Sequence, residues 1–477
     1  MAKEYPILVG GKPVKTVNET SVKNPFNGET VGVTYLADDE EAREATARAV
    51  ESFPLTRKMS PLERSNVLQN ISDQISKRAE EIARTISMEA GKPITSARQE
   101  TQRSVFTFQY AAEEAKRFSG EIIPLDIHPL GKGHTCLVKR FPLGPVLGIT
   151  PFNFPLNLVA HKVAPAIAVG NPIVVKPAPQ APLTALLLGE IVVNSGWPAG
   201  AISVIPASNG VAERMVEDER FKFFSFTGSS AVGWRLKNRA GKKKVALELG
   251  GNAGAIVHFD ADLSYAAERI VAGGFGYAGQ TCISVQRVFI HEKVYDEFKK
   301  ILLEKVGAVK SGDPADETVL VGPLISNRDV LRLTDWLKEA QSGGAKILCG
   351  GAFKGQVMEP TVLENTKPKM KVSCMEIFGP VVTLSPYGDV NDALRAVNDS
   401  EFGLQAGIFT NDLRLAFTAW ETLDVGGVVV GNAPTFRMDH MPYGGIKNSG
   451  QGREGIRWAM EEMSEPKSLI INLPPGH

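Results

Sequence analysis

Between residues 40 and 118 apolar residues recur at helical spacing among many helix formers, as in "EEAREATARAV" and "SDQISKRAEEIARTI", and the spacing predicts a run of helices. From residue 139 the rhythm changes. Short, β-prone apolar runs, "GPVLGITP", "NPIVVKPA", "ISVIPA" and "KFFSFTGS", alternate with helical stretches such as "PLTALLLGEIVVNSG" and "GVAERMVEDE". Strands that are apolar throughout, separated by helices, predict a parallel, doubly wound sheet with both faces covered. A second series follows in "NAGAIVHF", "QRVFIHE", "AKILCGG", "EPTVLEN", "GPVVTLSPY", "AGIFT" and "GGVVVGN", so two α/β units are expected. Residues 119–138, "SGEIIPLDIHPLGKGHTCL", fit neither rhythm; short extended runs among Gly, Pro and His predict a protruding hairpin. The closing "EPKSLIINLP" reads as a lone strand, which must pair with that hairpin or with another subunit.

Composition adds exclusions. The 477 residues carry 53 Lys plus Arg against 53 Asp plus Glu, so charge gives no reason to expect nucleic acid or an anionic membrane as partner. The N-terminal "MAKEYPILVGGK" has too short an apolar run for a signal peptide, and "VAPAIAVGNPIVV" is broken by Pro and Gly. A cytoplasmic enzyme is the default expectation. The four cysteines, Cys136, Cys282, Cys349 and Cys374, form no CxxC pair or zinc spacing, so neither disulfides nor a metal site is expected.

Five segments could carry chemistry. In "AGGFGYAGQTC" glycines crowd the approach to Cys282, and such packing leaves room for a ligand; read alone, the cysteine is either a buried structural thiol or a nucleophile. In "VALELGGN" Glu248 ends an apolar run beside two glycines, placed for general-base work in a crevice, or else is a solvated loop residue. In "TPFNFP" Asn153 is framed by Phe and Pro and suits an oxyanion donor as well as a turn. Lys176 ends "VVK", and "FTGSSAVG" sets Gly228, Ser229 and Gly233 at a strand-to-helix turn whose N–H groups could cradle phosphate, although neither a P-loop nor GxGxxG is present. In "MEIFGPV" Glu376 could bind ribose hydroxyls and Phe378 could contact a nicotinamide ring; an ordinary turn with a core Phe is the alternative.

Taken in order, "PFNFP", "KPA", "FTGSSAVG", "ELGG", "GQTC", "EIFGP" and "PYGGIKNSG" resemble the aldehyde dehydrogenase superfamily over essentially the whole chain, within it the lactaldehyde, phosphonoacetaldehyde and non-phosphorylating glyceraldehyde-3-phosphate subgroup. The resemblance implies a Rossmann-like cofactor domain (1–118 and 139–250), a catalytic α/β domain (251–445) and a small β oligomerisation element (119–138 and 463–477). It implies Cys282 as nucleophile, forming a thiohemiacetal and then, after hydride transfer to NAD or NADP, a thioester. Asn153 and the Cys282 N–H would hold the oxyanion, and Glu248 would activate the hydrolytic water. The cofactor set it implies is Thr150, Pro151, Phe152, Lys176, Pro179, Gly228, Ser229, Gly233, Leu249, Glu376 and Phe378. Pro179 stands where many NAD-preferring members carry Glu, so NADP should be tolerated. Asn252 replaces a frequent Lys. Relatives that acylate coenzyme A lack the glutamate found here at 248, which favours a free acid over the alternatives of an acyl-coenzyme A product or a non-catalytic protein. The resemblance would set His161 and Arg103, with Thr281, along the aldehyde tunnel, where an Arg and a His would suit an anionic or hydroxylated aldehyde; a surface Arg and a satisfied buried His are the equal alternative. A homodimer or homotetramer is expected.

Overall fold

The structure, a computed structural model, describes residues 3–472. Four helices fill the first helical stretch: Asp39–Thr56, Pro61–Lys77, Ala79–Ala90 and Ile94–Arg117. Local chemistry sets their starts. Asp38 with Glu41, and Ser60 with Glu63, form reciprocal capping boxes, and Pro61 occupies the first helical position, where its missing N–H costs nothing.

The first large sheet has eight strands. Its parallel centre runs Lys244–Glu248, Phe223–Thr227, Val146–Ile149, Ile173–Lys176, Ile202–Val204. Both faces are covered, because successive side chains point opposite ways: Ile173 and Val175 enter the core beneath helices Asn157–Val169 and Leu183–Val193, while Val174 enters the core beneath Asp39–Thr56 and Asn209–Glu217. One outer margin carries Ile7–Val9 and Lys12–Val14, two short antiparallel strands with no resolvable sequence period. The other margin carries Gly450–Gln451, through which the chain returns to the first sheet after the second unit. Helix Ile456–Glu462 then joins the first core through Ile456 and Met460.

The second large sheet has seven strands, all within residues 253–430, with Ala253–Val257, Val285–His291 and Val381–Tyr387 parallel near its middle. Helices again pack on both faces, Leu263–Phe275 on one and Val390–Asn398 on the other.

The 119–138 segment does form a hairpin, of Glu121–Pro124 and His134–Pro142, and the C-terminal strand Ser464–Asn472 pairs antiparallel with its second arm, Leu469 opposite Leu137. The last residues assigned to this element by sequence, 473–477, lie outside the described residues. No helix among the described residues is long and apolar enough to cross a membrane.

Candidate active site

In the first sheet the chain passes from Val146–Ile149 to Ile173–Lys176 on one side, and Phe223–Thr227 lies on the other. Connections diverge at that gap, and the carboxyl ends of an open α/β sheet leave a crevice there. Thr150, Lys176 and Gly228 stand at its rim, with the Thr150 N–H donating to the Lys176 carbonyl at 3.1 Å. A cavity of about 570 Å³ extends from this edge to the amino edge of the second sheet, and its wall includes Asn153, Glu248, Thr281, Cys282, Glu376 and Phe378.

Cys282 reaches the cavity on a strained turn. After helix Leu263–Phe275, Tyr277, Ala278 and Gly279 take φ of 51°, 54° and 65° in succession. Left-handed backbone at non-glycine residues costs on the order of 1–3 kcal/mol each and persists only when its surroundings enforce it. Here the Tyr277 hydroxyl donates to the Ala90 carbonyl at 3.0 Å, and the Gln280 amide donates to the Pro323 carbonyl at 3.1 Å and accepts from the Ile325 N–H at 3.0 Å. Gly279 is required twice, for its φ and because a Cβ would lie 2.2 Å from the Gly379 carbonyl oxygen.

The "ELGG" glycines answer the same need for close approach. A Cβ on Gly251 would meet the Cys282 carbonyl oxygen at 2.2 Å, and one on Gly250 the Glu376 carboxylate at 2.4 Å. The Gly251 N–H donates to Glu376 at 2.9 Å. Asn252 also contributes: its amide donates to the Ser373 carbonyl at 2.8 Å, tethering the loop that carries Glu376. Asn153 donates to the Gln280 carbonyl at 3.0 Å, which fixes its amide two residues from the sulfur and leaves its second N–H free of that bond.

Burial in the cavity wall suppresses ionisation there. Burial pushes the Cys282 thiol up to about 12 and Glu376 up to about 7. Burial, then the nearby charge of Glu454, raises Glu248 well above the usual carboxyl range, and neither of its oxygens has a hydrogen-bond partner among the described residues. A thiol, an unengaged carboxyl and a fixed amide donor on one cavity form a set that can make and hydrolyse an acyl-thiol.

The crevice fits a dinucleotide. Lys176 is 4 % exposed, burial lowers its ammonium to about 8, and no carboxylate among the described residues pairs with it. The Thr150 hydroxyl is buried without a partner among the described residues, and Ser229 starts helix Ser230–Arg239 without spending its hydroxyl on the cap. Phe152 and Phe378 meet edge to face at 6.0 Å across the cavity mouth, and Leu249 lines it too. Gly233 lies just behind, in that helix, against Leu249. Pro179 is exposed and lines a separate, smaller hollow with Gln180 and Glu89.

Arg103 and His161 do converge, but on Asp439. His161 is buried behind the wall, its Nε2 2.9 Å from the Asp439 carboxylate; Arg103 lies in the wall and grips the same carboxylate with two hydrogen bonds.

A buried ionic network went unread in the sequence. Lys162 donates to Ser225, Thr227 and Glu454; Glu454 accepts from Arg437 at 3.0 Å; Arg437 approaches His161 at 3.3 Å. Arg437, Glu454 and Tyr443 all line the cavity. One signal was available. Helix Asn157–Val169 is buried at every position, so the Lys162 within it had to find a partner.

A dinucleotide crevice opening on a thiol, a carboxyl and an amide is the architecture of a nicotinamide-dependent oxidoreductase. The profile of the Aldehyde dehydrogenase family matches residues 13–469, and the chain belongs to that family. It is similar to the 3-sulfolactaldehyde dehydrogenase of Priestia aryabhattai, 41% identical over 472 residues, 99% of this chain and 98% of that one. The crystal structure of aldehyde dehydrogenase 21 from Physcomitrella patens, in complex with the reaction product succinate, superposes with a TM-score of 0.98 at 45% identity over 100% of both chains. That of glyceraldehyde-3-phosphate dehydrogenase GapN from Methanocaldococcus jannaschii, complexed with NADP, gives 0.92 at 38% identity, over 96% of this chain and 100% of that one.

Proposed function

We propose that this protein oxidises a small anionic aldehyde to the free acid, with NAD or NADP as hydride acceptor, through a thioester on Cys282. The observation that carries the substrate class is Arg437. Its side chain is 8% exposed, it lies in the cavity wall, and its Nε is buried with no hydrogen-bond partner among the described residues. A buried, half-satisfied guanidinium suits a carboxylate, sulfonate or phosphate at the far end of a short aldehyde. Sulfolactaldehyde, succinate and glyceraldehyde 3-phosphate, named for the relatives above, each carry such a group.

In this reading the Cys282 thiolate adds to the aldehyde carbon, and the oxyanion is held by the Asn153 amide and the Cys282 N–H. The nicotinamide, when bound at the crevice, supplies the acceptor for the hydride that leaves the thiohemiacetal. Glu248 takes a proton from water, the hydroxide adds to the thioester, and the C–S bond breaks to release the acid and the thiolate. Lys176 and Ser229 would hold ribose and pyrophosphate from the first unit (1–118 and 139–250), while the second (251–445) supplies the thiol and Glu376, which would hold the nicotinamide ribose.

The sheet of 121–142 with 464–472 would join subunits into a homodimer or homotetramer. Its outer strands leave Ile122, Leu469 and Ile470 between 58% and 72% exposed, apolar surface on unpaired edges. A reducing cytoplasm suits the four unpaired cysteines.

The test is a panel of aldehydes matched in length, with and without a terminal anion, run with both cofactors. Anionic members should exceed neutral ones in kcat/KM, and Arg437→Gln should erase the difference mainly through KM. A preference untouched by that substitution would sink the substrate assignment. Product formed only when coenzyme A is added would overturn the hydrolytic route.

A further inference from the structure

One contact in the cavity has no part in the scheme above. The Tyr443 hydroxyl lies 3.1 Å from the Cys282 sulfur, and it is the sulfur's sole hydrogen-bond partner among the described residues. The phenol is held rigidly there. Its ring packs with Ile283 and Leu404 in a small buried cluster that Cys282 adjoins. The Arg437 guanidinium stacks on the ring, 3.7 Å from its centroid. Its backbone is pinned to the chain at Glu454 in both directions, the Tyr443 N–H donating to the Glu454 carbonyl at 3.0 Å and the Glu454 N–H donating back at 2.7 Å.

We propose that Tyr443 is a catalytic residue of this enzyme, its hydroxyl donating a hydrogen bond to the Cys282 sulfur that holds it toward the cavity and stabilises the thiolate that attacks the aldehyde. The inference rests on the reading of Cys282 as nucleophile. A thiol and a phenol 3.1 Å apart can share a proton either way, but once the sulfur is ionised only the phenol can donate. The phenol keeps its proton under those conditions, because burial, then the adjacent thiol, raises it well above its ordinary range. The need for such a donor is local. Burial opposes ionisation of Cys282, and no histidine or lysine among the described residues is hydrogen-bonded to it. The stacked Arg437 adds positive potential on the same side, and its charge on the ring polarises the hydroxyl toward donation.

The test uses Tyr443→Phe, which keeps the ring and removes only the hydroxyl, in full-length protein without cofactor or aldehyde. Iodoacetamide is the probe, and modification of Cys282 is followed by peptide mass spectrometry across pH. A hydrogen bond to a charged group predicts that the midpoint of the profile moves to higher pH and that modification at neutral pH slows about tenfold. kcat/KM should fall by a similar factor, with KM for the cofactor unchanged. An alkylation profile identical to that of the parent would overturn the proposal, even if turnover fell. Cys282→Ala separates the two readings: if aldehyde oxidation survives there, the thioester route fails, whereas the Tyr443→Phe profile reports on the hydroxyl alone.

Discussion

Arg103 and Asp439, 336 residues apart in sequence, meet through two hydrogen bonds, Nε to Oδ2 at 3.1 Å and Nη2 to Oδ1 at 2.6 Å. Burial works against the Asp439 charge, but His161 and Arg103 together hold its carboxyl well below the usual range, so it is a buried anion directly behind Arg103, which itself lies in the cavity wall, at any working pH. Arg103 therefore acts as the mask of that anion. Arg103→Ala should raise KM for an anionic aldehyde severalfold, by uncovering Asp439, and KM for a neutral aldehyde much less. Asp439→Asn in the same background should restore most of the loss. Failure of that rescue, in a double-mutant cycle on KM, would instead mean that Arg103 touches the substrate itself.

In the proposed mechanism Glu248 sets the pH dependence of hydrolysis. Its folded value is raised, first by burial and then by Glu454, so the ionised base appears only as pH climbs through that raised value. Turnover limited by hydrolysis should rise with pH on the acid limb. Glu454→Gln removes the like charge and leaves Lys162 and Arg437 facing Glu248, so the limb should move to lower pH; a shift the other way would contradict the electrostatic cause. Glu248→Gln should lower kcat by roughly 10²–10⁴ while leaving a burst of about one reduced cofactor per Cys282 in stopped flow.

The Lys92–Glu100 pair, 2.5 Å apart and wholly buried, is an anchor for the Asn153 loop. The other Glu100 oxygen accepts from the N–H groups of Leu156 and Asn157, at 2.9 and 3.0 Å, and so fixes the start of helix Asn157–Val169. Lys92 lies 3.6 Å from the centroid of the Phe154 ring, next to Asn153. Lys92→Met strands a buried carboxylate and should cost about 3–5 kcal/mol in chemical denaturation. Glu100→Gln should cost less and lower kcat through a loosened Asn153, with little change in KM for the cofactor.

The division between what the sequence disclosed and what it hid follows chain distance. Cys282, Glu248 and Asn153 sit in contiguous segments whose glycines, prolines and strand ends made them candidates within a window of ten residues, but each window left a structural alternative open, and only the order of seven such segments along the chain assigned their roles. The two α/β series were visible in short windows too, since buried parallel strands are apolar along their whole length. The strands at 4–14 were not: two or three residues have no period, and they form because sheet edges already exist to receive them. The ionic network was hidden because its partners lie far apart, Lys162 from Glu454 by 292 residues and His161 from Asp439 by 278. His161 and Arg103 meet at Asp439 rather than side by side in the cavity wall, and nothing local in "TFRMDHMP" announced that carboxylate.

Cofactor choice offers the last prediction. Pro179 is exposed three residues beyond Lys176, where the chain leaves the carboxyl edge of the first sheet. A carboxylate at that turn could accept from a ribose 2′-hydroxyl and would repel a 2′-phosphate, whereas proline does neither. Repulsion between a glutamate and a dianionic phosphate at contact distance in partly exposed surroundings is of the order of 1–4 kcal/mol. Pro179→Glu should therefore raise KM for NADP by ten- to a hundredfold and leave KM for NAD unchanged or lower. Because the turn lies outside the cavity that holds Cys282, kcat with NAD should be unaltered. The ratio of kcat/KM for the two cofactors in parent and variant decides the matter, and an unchanged ratio would place the discriminating contact elsewhere on the first sheet.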